Sequence, residues 1–183
     1  MGDREELISK LDNVRNSYYL TLIFSGLLQS NDVITLLEGE SIKIAYNGKE
    51  INLTVGNISE QFSNERYHDK TILALQKFGT KGFINETWKI IETYCEDNAL
   101  TDLLENQPWY WFGYMIRCAL AHNDRFRIRM KKETEKEVLP IKWKGKIIVK
   151  EMHDEPLTSD FFSPIDAFDL HEEIKSFVSQ HIS

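Results

Sequence analysis

The sequence has only two cysteines, Cys95 and Cys118, and neither lies in a CxxC or other metal-ligand spacing. Two cysteines do not build a disulfide scaffold, and they fit a reduced cytoplasmic protein. Long hydrophobic runs are also missing, since no stretch approaches the roughly 20 apolar residues of a membrane span. The segment MGDREELISK is charged and predicts no secretory signal. We therefore expect a cytoplasmic protein without a membrane-spanning segment.

Cations are outnumbered, with 22 Lys and Arg against 29 Asp and Glu and a formal net charge of -7. This balance argues against a general nucleic-acid binder, because affinity for a polyanion comes mainly from neutralising its phosphates. The sequence also lacks a zinc signature, a Gly-rich phosphate loop and a nucleophile elbow, so we expect no metal and no cofactor. The hydrophobic fraction, 42%, is sufficient for one compact domain with a substantial core.

One segment, from Pro108 to Asn123, is nearly all apolar and carries a single cation, Arg117, before it reaches His122. Aromatic and aliphatic side chains fall on every face of the helix expected from 109 to 121, which predicts a buried helix. Burying an unpaired guanidinium costs on the order of several kcal/mol. Arg117 therefore meets a carboxylate, or it faces a cleft or subunit interface that an anion can reach.

The spacing of Arg117 and His122 adds a geometric condition. Five residues at about 100° each place the two side chains about 140° apart on a regular helix, so they converge only if the helix ends near Ala121. Asn123 and Asp124 predict that end, because short polar side chains favour turns and tolerate left-handed conformations.

An Arg, four intervening residues and a His at the end of an apolar helix resemble the signature of HEPN domains, which are small helical modules. Many HEPN proteins are metal-independent ribonucleases in which a two-fold dimer brings two motifs into one cleft. The resemblance implies an antiparallel helical bundle, a homodimer, an RNA substrate and, if the protein is a toxin, an antitoxin partner. It makes Arg117 and His122 the catalytic residues and places Asn123 on the substrate.

The resemblance also implies a mechanism without a metal. His122 acts as the general base on a ribose 2′-hydroxyl, which then attacks the adjacent phosphorus, because an imidazole can accept a proton near neutral pH. Arg117 stabilises the charge on the phosphoryl oxygens through its fork of donors.

One residue departs from the pattern. Cys118 follows the motif arginine, where active HEPN members commonly have Asn, Asp or His, and a thiol is a poor replacement for a polar side chain that orients phosphate. An alternative is a non-catalytic HEPN-like module, in which the aromatic helix serves dimerisation and Arg117 is an intersubunit ionic anchor. In a further alternative, Arg117 pairs with an acidic neighbour and His122 caps the last carbonyls of its helix.

Three arginines after His122 alternate with three apolar residues, namely Arg125, Arg127 and Arg129 with Phe126, Ile128 and Met130. As a strand, this segment has one cationic and one apolar face, and its arginines are predicted to hold the phosphates that flank the cleaved bond. A solvated strand that protects a sheet edge with charge has the same pattern.

The periodicity of the chain predicts a mainly α fold. Together with the resemblance, it leads us to expect a HEPN-like antiparallel helical bundle in a single domain over residues 1–183. We expect a β-hairpin insertion at about 41–56, a β-rich segment at about 125–150 and a C-terminal helix at about 164–181. The predicted helices are a first core helix from Asp3 to Leu28, a short turn at Val33 to Leu37, a helical region from Glu60 to Phe78 and, after breaks at Gly79 and Gly82, a helix from Asn85 to Glu96.

Turn and cap residues fix further expectations. Asn47-Gly48 and Lys144-Gly145 each predict the turn of a hairpin. Pro108 predicts a helix start with Asn106 or Gln107 as its cap. The C-terminal helix is expected to open at Ser163-Pro164 with Asp166, to run through about His181, and to bury Ile165, Phe168, Ile174, Phe177 and Val178.

Overall fold

A computed structural model describes residues 3–37, 40–46, 49–54, 65–128 and 139–182. Over these residues the chain is mainly helical with two small antiparallel hairpins, which confirms the predicted mainly α fold with small β additions. The helices are α1 (Asp3–Leu27), α2 (Asn31–Leu37), α3 (Glu65–Asp97), α4 (Thr101–Glu105), α5 (Tyr110–Ala121) and α6 (Pro164–His181). The strands are β1 (Ser41–Tyr46), β2 (Lys49–Thr54), β3 (Ile141–Trp143) and β4 (Lys146–Ile148).

The chain divides into two compact units. Unit 1 comprises Met1–Ser17 and Thr80–Ser183, and unit 2 comprises Tyr18–Gly79. Unit 1 therefore contains the motif helix α5, the β3–β4 hairpin and α6, whereas unit 2 contains α2 and the β1–β2 hairpin. The single domain expected from the sequence stays a prediction.

Helix α3 runs without interruption through both glycines that were expected to end a helix. A glycine inside a helix costs about 1 kcal/mol relative to alanine, which tertiary packing can outweigh. At Gly79 the neighbouring helix explains the residue, because a Cβ there would lie 2.7 Å from Cγ2 of Thr21. The prediction of two separate helices is therefore wrong, and its first part, residues 60–64, lies outside the described residues.

The core of unit 1 is aromatic and is built around α5. The ring of Trp88 packs 5.3 Å from that of Tyr110, and Phe112 stacks on Trp143 of β3 at 4.7 Å. Gly113 allows this packing, because a Cβ at that position would lie 2.5 Å from Cζ3 of Trp88. The backbone of α5 thus lies directly on α3. Trp88, Ile91 and Cys95, which lie on one side of α3, are fully buried.

The start of α5 differs from the prediction. The helix begins at Tyr110, and its N-cap residue, Trp109, provides no side-chain hydrogen bond. The side chains that were expected to cap α5 bond to α4 instead. The side-chain amide of Asn106 donates to the backbone carbonyl of Asp102 at 2.7 Å, and that of Gln107 donates to the backbone carbonyl of Leu103 at 3.0 Å. Both side chains close α4 instead of opening α5.

Both predicted hairpins are present. In the first, β1 and β2 pair antiparallel, with Ile42 opposite Leu53; the expected turn residues Asn47-Gly48 lie outside the described residues. In the second, the turn between β3 and β4 has Lys144 at φ 43° and Gly145 at φ 80°. Left-handed backbone at both central residues is what a two-residue hairpin turn requires.

The last helix, α6, opens with the predicted capping box. The Ser163 hydroxyl accepts from the backbone N–H of Asp166, and the Asp166 carboxylate accepts from the backbone N–H of Ser163 at 2.7 Å. The predicted residues Ile174, Phe177 and Val178 are buried. Ile165 is not: it is 73% exposed, since it lies in the first turn on the outer side of the helix.

Candidate active site at the end of helix α5

Helix α5 is buried along one face only. The residues of that face are Tyr110, Phe112, Gly113, Ile116, Ala119 and Leu120. The opposite face is only partly covered and carries Trp111, Tyr114, Met115 and Cys118. The prediction of a helix buried on every side is therefore corrected, and the reason is that α3, α6 and β3 pack on the same face of α5.

Arg117 lies at the border between these two faces. Its side chain is 36% exposed, and its Nη2 lies 3.7 Å from Oε2 of Glu92 on α3. At that distance the pair is a weak charge contact and not a close bidentate hydrogen bond. The sequence argument required a carboxylate or an open surface for this cation, and Arg117 has both. Its remaining N–H donors can therefore reach a second anionic group.

His122 lies just beyond the last turn of α5. The helix ends at Ala121, as predicted, and His122 is its C-cap residue, with φ -110° and ψ 54°. The backbone N–H of His122 donates to the carbonyls of Cys118 and Ala119, while its imidazole is exposed. The helix therefore ends where the spacing of Arg117 and His122 requires it to end, and His122 no longer follows the helical rotation.

The next two residues hold this helix end in place. Asn123 and Asp124 have left-handed backbone, with φ of 59° and 56°, as expected for residues that stop a helix. The carbonyl of Asp124 accepts from the backbone N–H of Leu157 at 2.7 Å, which ties the turn to a distant part of unit 1. Asn123 is exposed beside His122 in sequence, as a substrate contact must be.

The basic segment after the motif alternates as predicted but is not a regular strand. Phe126 and Ile128 are buried, while Arg125 and Arg127 are exposed. One isolated bridge joins Arg125 to Pro156, and Phe126 exchanges backbone hydrogen bonds with Glu155 and Asp154. Arg129 and Met130 lie outside the described residues, as does the charged run 132–137.

Both described arginines of this segment converge on Asp154. Nη1 of Arg127 lies 2.6 Å from its carboxylate, and Nη1 of Arg125 donates to its backbone carbonyl at 2.6 Å. The backbone of Asp154 is left-handed, with φ 63°. The sequence analysis missed this residue, although an Asp between a His and a Glu in a loop is a typical turn residue.

Two further residues near the motif were not recognised from the sequence. Glu92 lies one helical turn after the buried Trp88, so its place beside α5 follows once Trp88 is known to pack there. Tyr110 lies on α5 about two helical turns before Arg117. Burial raises the pKa of the Tyr110 hydroxyl, and Glu105 and Glu92 add to this effect, so the phenol stays protonated at neutral pH.

The sequence analysis did not predict the buried histidine on α6. His171 is fully buried; its Nδ1 lies 3.2 Å from Oγ1 of Thr87, and its ring lies 5.0 Å from that of Phe83. Burial lowers the pKa of His171 to about 4, and Lys175 and Arg15 add to the shift. The burial of His171 could have been predicted from the sequence, because this residue falls on the same helical stripe as the buried Leu170 and Ile174.

Charged side chains from α1 and α6 surround this histidine. Asp12 lies 2.7 Å from Nζ of Lys175 and 3.0 Å from Nη2 of Arg15. The hydrogen bond from Lys175 lowers the pKa of Asp12. Arg15 also pairs with Glu172 at 3.3 Å. These groups neutralise one another, so the cluster connects α1 to α6 within unit 1.

Cys95 is poorly suited to act as a nucleophile. Cys95 is buried, and burial raises the pKa of its thiol to about 11, so the nucleophilic thiolate is scarce at neutral pH. Within the described ranges, no group of three His, Cys, Asp or Glu side chains could hold a metal ion. Over the same ranges, no helix is both long and apolar enough to cross a membrane.

Comparison of the chain with protein-family models, with curated proteins and with solved structures returned no match.

Proposed function

We propose that the protein is a metal-independent, HEPN-type endoribonuclease of the cytoplasm, with a role in a toxin–antitoxin or defence system. The observation that carries the proposal is the end of α5, where the exposed His122 leaves the helix five residues after the partly exposed Arg117. A general base and a phosphate-binding cation are thus on one short, rigid segment of an otherwise apolar helix. The proposal includes a homodimer, in which two such segments form one cleft.

In this mechanism His122 takes the proton of a ribose 2′-hydroxyl, and the resulting oxygen attacks the adjacent phosphorus. The P–O5′ bond breaks as the P–O2′ bond forms, and the leaving 5′-oxygen takes a proton from water. The products are a 2′,3′-cyclic phosphate and a free 5′-hydroxyl. Arg117 stabilises the negative charge on the phosphoryl oxygens with the N–H donors that its long contact with Glu92 leaves available. Asn123, Arg125, Arg127 and Arg129 contact the flanking RNA.

The experiment is incubation of the purified protein with a mixed RNA pool in EDTA, followed by analysis of the 3′ ends. We expect cleavage that leaves 2′,3′-cyclic phosphate and that is lost in both His122→Ala and Arg117→Ala. The control is His181→Ala, which removes another exposed imidazole from unit 1 and is expected to leave cleavage intact. Cleavage that persists in His122→Ala, or that requires a divalent metal, contradicts the proposal.

A second candidate is a non-catalytic HEPN-like interaction module. The ion pairs favour it: Arg117 already has a carboxylate partner in Glu92, and Arg127 has one in Asp154, which reduces the positive charge left for RNA. This candidate predicts no turnover and a loss of stability or dimerisation in Arg117→Ala. Intact RNA after incubation, together with a dimer that Arg117→Ala dissociates, supports the module and rejects the nuclease.

A further inference from the structure

The basic segment that follows α5 is fixed by its backbone to the turn that contains Asp154. The N–H of Phe126 donates to the carbonyl of Glu155 at 3.0 Å, and the N–H of Asp154 donates to the carbonyl of Phe126 at 2.9 Å. The Phe126 side chain is fully buried, so it anchors the segment in the core of unit 1. The main chain therefore sets the position of Asp154 beside Arg125 and Arg127.

Arg125 and Arg127 contact different groups of Asp154. Nη1 of Arg125 donates to the backbone carbonyl, whereas Nη1 of Arg127 lies 2.6 Å from Oδ1 of the carboxylate. The carboxylate also lies 3.6 Å from Nε2 of His153, which is a longer and weaker contact. A change of side chain at position 154 therefore removes the partner of Arg127 and leaves that of Arg125 in place.

The charge pair between Arg127 and Asp154 is open to solvent. The side chain of Arg127 is 40% exposed, and that of Asp154 is 53% exposed. Exposed ion pairs contribute little free energy, so a competing anion can break them. A phosphate group offers oxygens to a guanidinium in the same way as a carboxylate does. A phosphate from solution can therefore take the place of the Asp154 carboxylate on Arg127.

This charge pair lies close in the chain to the end of α5. The N–H of Arg125 donates to the carbonyl of His122 at 3.3 Å, which closes a turn directly after the motif. Arg127 follows His122 by five residues, and five residues span at most about 18 Å when fully extended. An RNA strand of a few nucleotides covers this distance. One strand can therefore contact both residues.

A purely structural role for the Asp154 carboxylate explains less of the arrangement. The turn is already held by the backbone hydrogen bonds at Phe126 and by the N–H of Leu157, which donates to the carbonyl of Asp124 at 2.7 Å. The Leu157 side chain is also buried. An exposed carboxylate adds little to a turn that is fixed in these ways. Its charge, in contrast, neutralises a cation that an RNA strand would contact.

We propose that the Asp154 carboxylate occupies the place of an RNA phosphate on Arg127 in the free protein, and that a phosphate of bound single-stranded RNA displaces it. The contact is autoinhibitory, because the carboxylate competes with the strand for the same guanidinium. A strand that makes few other contacts is therefore bound weakly. This inference rests on the proposed function, since it takes RNA as the ligand of the basic segment.

The test measures the binding of a single-stranded 2′-O-methyl RNA, which lacks the 2′-hydroxyl nucleophile and is not cleaved. Fluorescence anisotropy compares the wild type with Asp154→Asn, because asparagine tolerates the left-handed backbone at this position and keeps the carbonyl that binds Arg125. We expect the variant to bind about two- to fivefold more tightly. The plot of log affinity against log salt concentration should also become steeper, by up to about 0.7, because no displaced carboxylate recaptures a cation.

The matched control is Asp160→Asn, which removes the same charge from an exposed position of unit 1. It is expected to keep the wild-type affinity and salt dependence. A second comparison places Asp154→Asn in an Arg127→Gln background. There the substitution is expected to lose its effect, because no guanidinium remains to be released.

Equal gains in affinity for Asp154→Asn and Asp160→Asn overturn the proposal, and so does a gain that persists without Arg127. The cleavage assay in EDTA separates these results from the proposed function. Cleavage by the wild type without a gain in Asp154→Asn rejects this inference alone. A gain that requires Arg127, in a protein that cleaves no RNA, rejects the ribonuclease alone. Absence of RNA binding by both the wild type and Asp154→Asn rejects both.

Discussion

Oγ1 of Thr87 and Nδ1 of His171 lie 3.2 Å apart in the interior of unit 1, and this contact connects α3 to α6. The other ring nitrogen, Nε2, is buried without a hydrogen-bond partner among the described residues. A charged imidazole would carry an N–H donor on each ring nitrogen, and the donor at Nε2 would lack an acceptor. It would also lie near the cationic side chains of Arg15 and Lys175, so the fold keeps His171 neutral.

This contact predicts that the protein loses stability in mild acid. The pKa of His171 is about 4 in the fold and 6.5 as the ordinary value. Between these values the unfolded chain binds the proton more readily, so the free energy of unfolding falls as the pH decreases from about 6.5 to 4, by about 3 kcal/mol. Urea denaturation at pH 7 and near pH 4 measures the change.

The variant His171→Gln isolates this contribution, since a glutamine amide can still bond to Thr87 but does not titrate in this range. We expect a shallower decrease of stability with pH in His171→Gln than in the wild type. His181→Gln, which removes an exposed imidazole of the same helix, should follow the wild-type profile. Equal slopes in all three proteins would contradict the buried neutral histidine.

Two glycines of unit 1 predict opposite effects of the same substitution. Gly113→Ala should lower the free energy of unfolding by about 2–3 kcal/mol, because the added Cβ would lie 2.5 Å from the ring of Trp88 and 3.2 Å from Leu170. Gly82→Ala should raise it by about 0.5–1 kcal/mol, because Gly82 is inside α3 with nothing within 4 Å of the added atom. Chemical denaturation of both variants checks the signs, and a stable Gly113→Ala would refute the close packing of α5 on α3.

The capping box of α6 predicts the cost of one hydroxyl. Ser163→Ala removes the acceptor for the backbone N–H of Asp166 and should lower the free energy of unfolding by about 1 kcal/mol. The comparison is Ser179→Ala near the other end of α6, where the hydroxyl is exposed and donates to the carbonyl of Lys175. That change should cost less than about 0.5 kcal/mol. Thermal denaturation measures both, and equal losses would exclude a special role for the cap.

The ion pair between Arg117 and Glu92 distinguishes the two proposed functions. Glu92→Gln should change the free energy of unfolding by less than about 1 kcal/mol, because the pair is long and partly exposed. If Arg117 binds phosphate, removing the competing carboxylate should strengthen RNA binding by up to about fivefold.

Filter binding with a single-stranded RNA under EDTA measures the affinity, and Glu96→Gln, an exposed carboxylate one turn further along α3, is the control. Unchanged RNA affinity in Glu92→Gln, together with a weakened dimer, would assign Arg117 to the interaction module.

The local sequence was sufficient to predict the helix ends and turns that depend on neighbouring residues. The end of α5 was predictable because Asn123 and Asp124 tolerate left-handed backbone, which the structure gives them. The capping box of α6 and the turn at Lys144-Gly145 followed in the same way from residues that act on their immediate neighbours.

Contacts distant in sequence decided the elements that were missed. Gly79 and Gly82 were expected to break α3, but the backbone of α3 at Gly79 needs a residue without a Cβ beside Thr21, more than 50 positions earlier. The expected cap of α5 failed because Asn106 and Gln107 bond to the preceding helix. Helix propensity describes an isolated segment, so it cannot predict which backbone group a polar side chain will bond to in the folded protein.

The sequence by itself determined a mainly helical protein with two hairpins, the end of α5, and the positions of Arg117 and His122 on one segment. Only the tertiary structure decided that Glu92 reaches Arg117, that Asp154 holds both Arg125 and Arg127, and that His171 is buried against Thr87. The physical reason is the separation along the chain over which each kind of interaction acts. Caps, turns and periodicity act within a few residues, whereas the charge and burial of a side chain depend on groups that the fold brings from elsewhere.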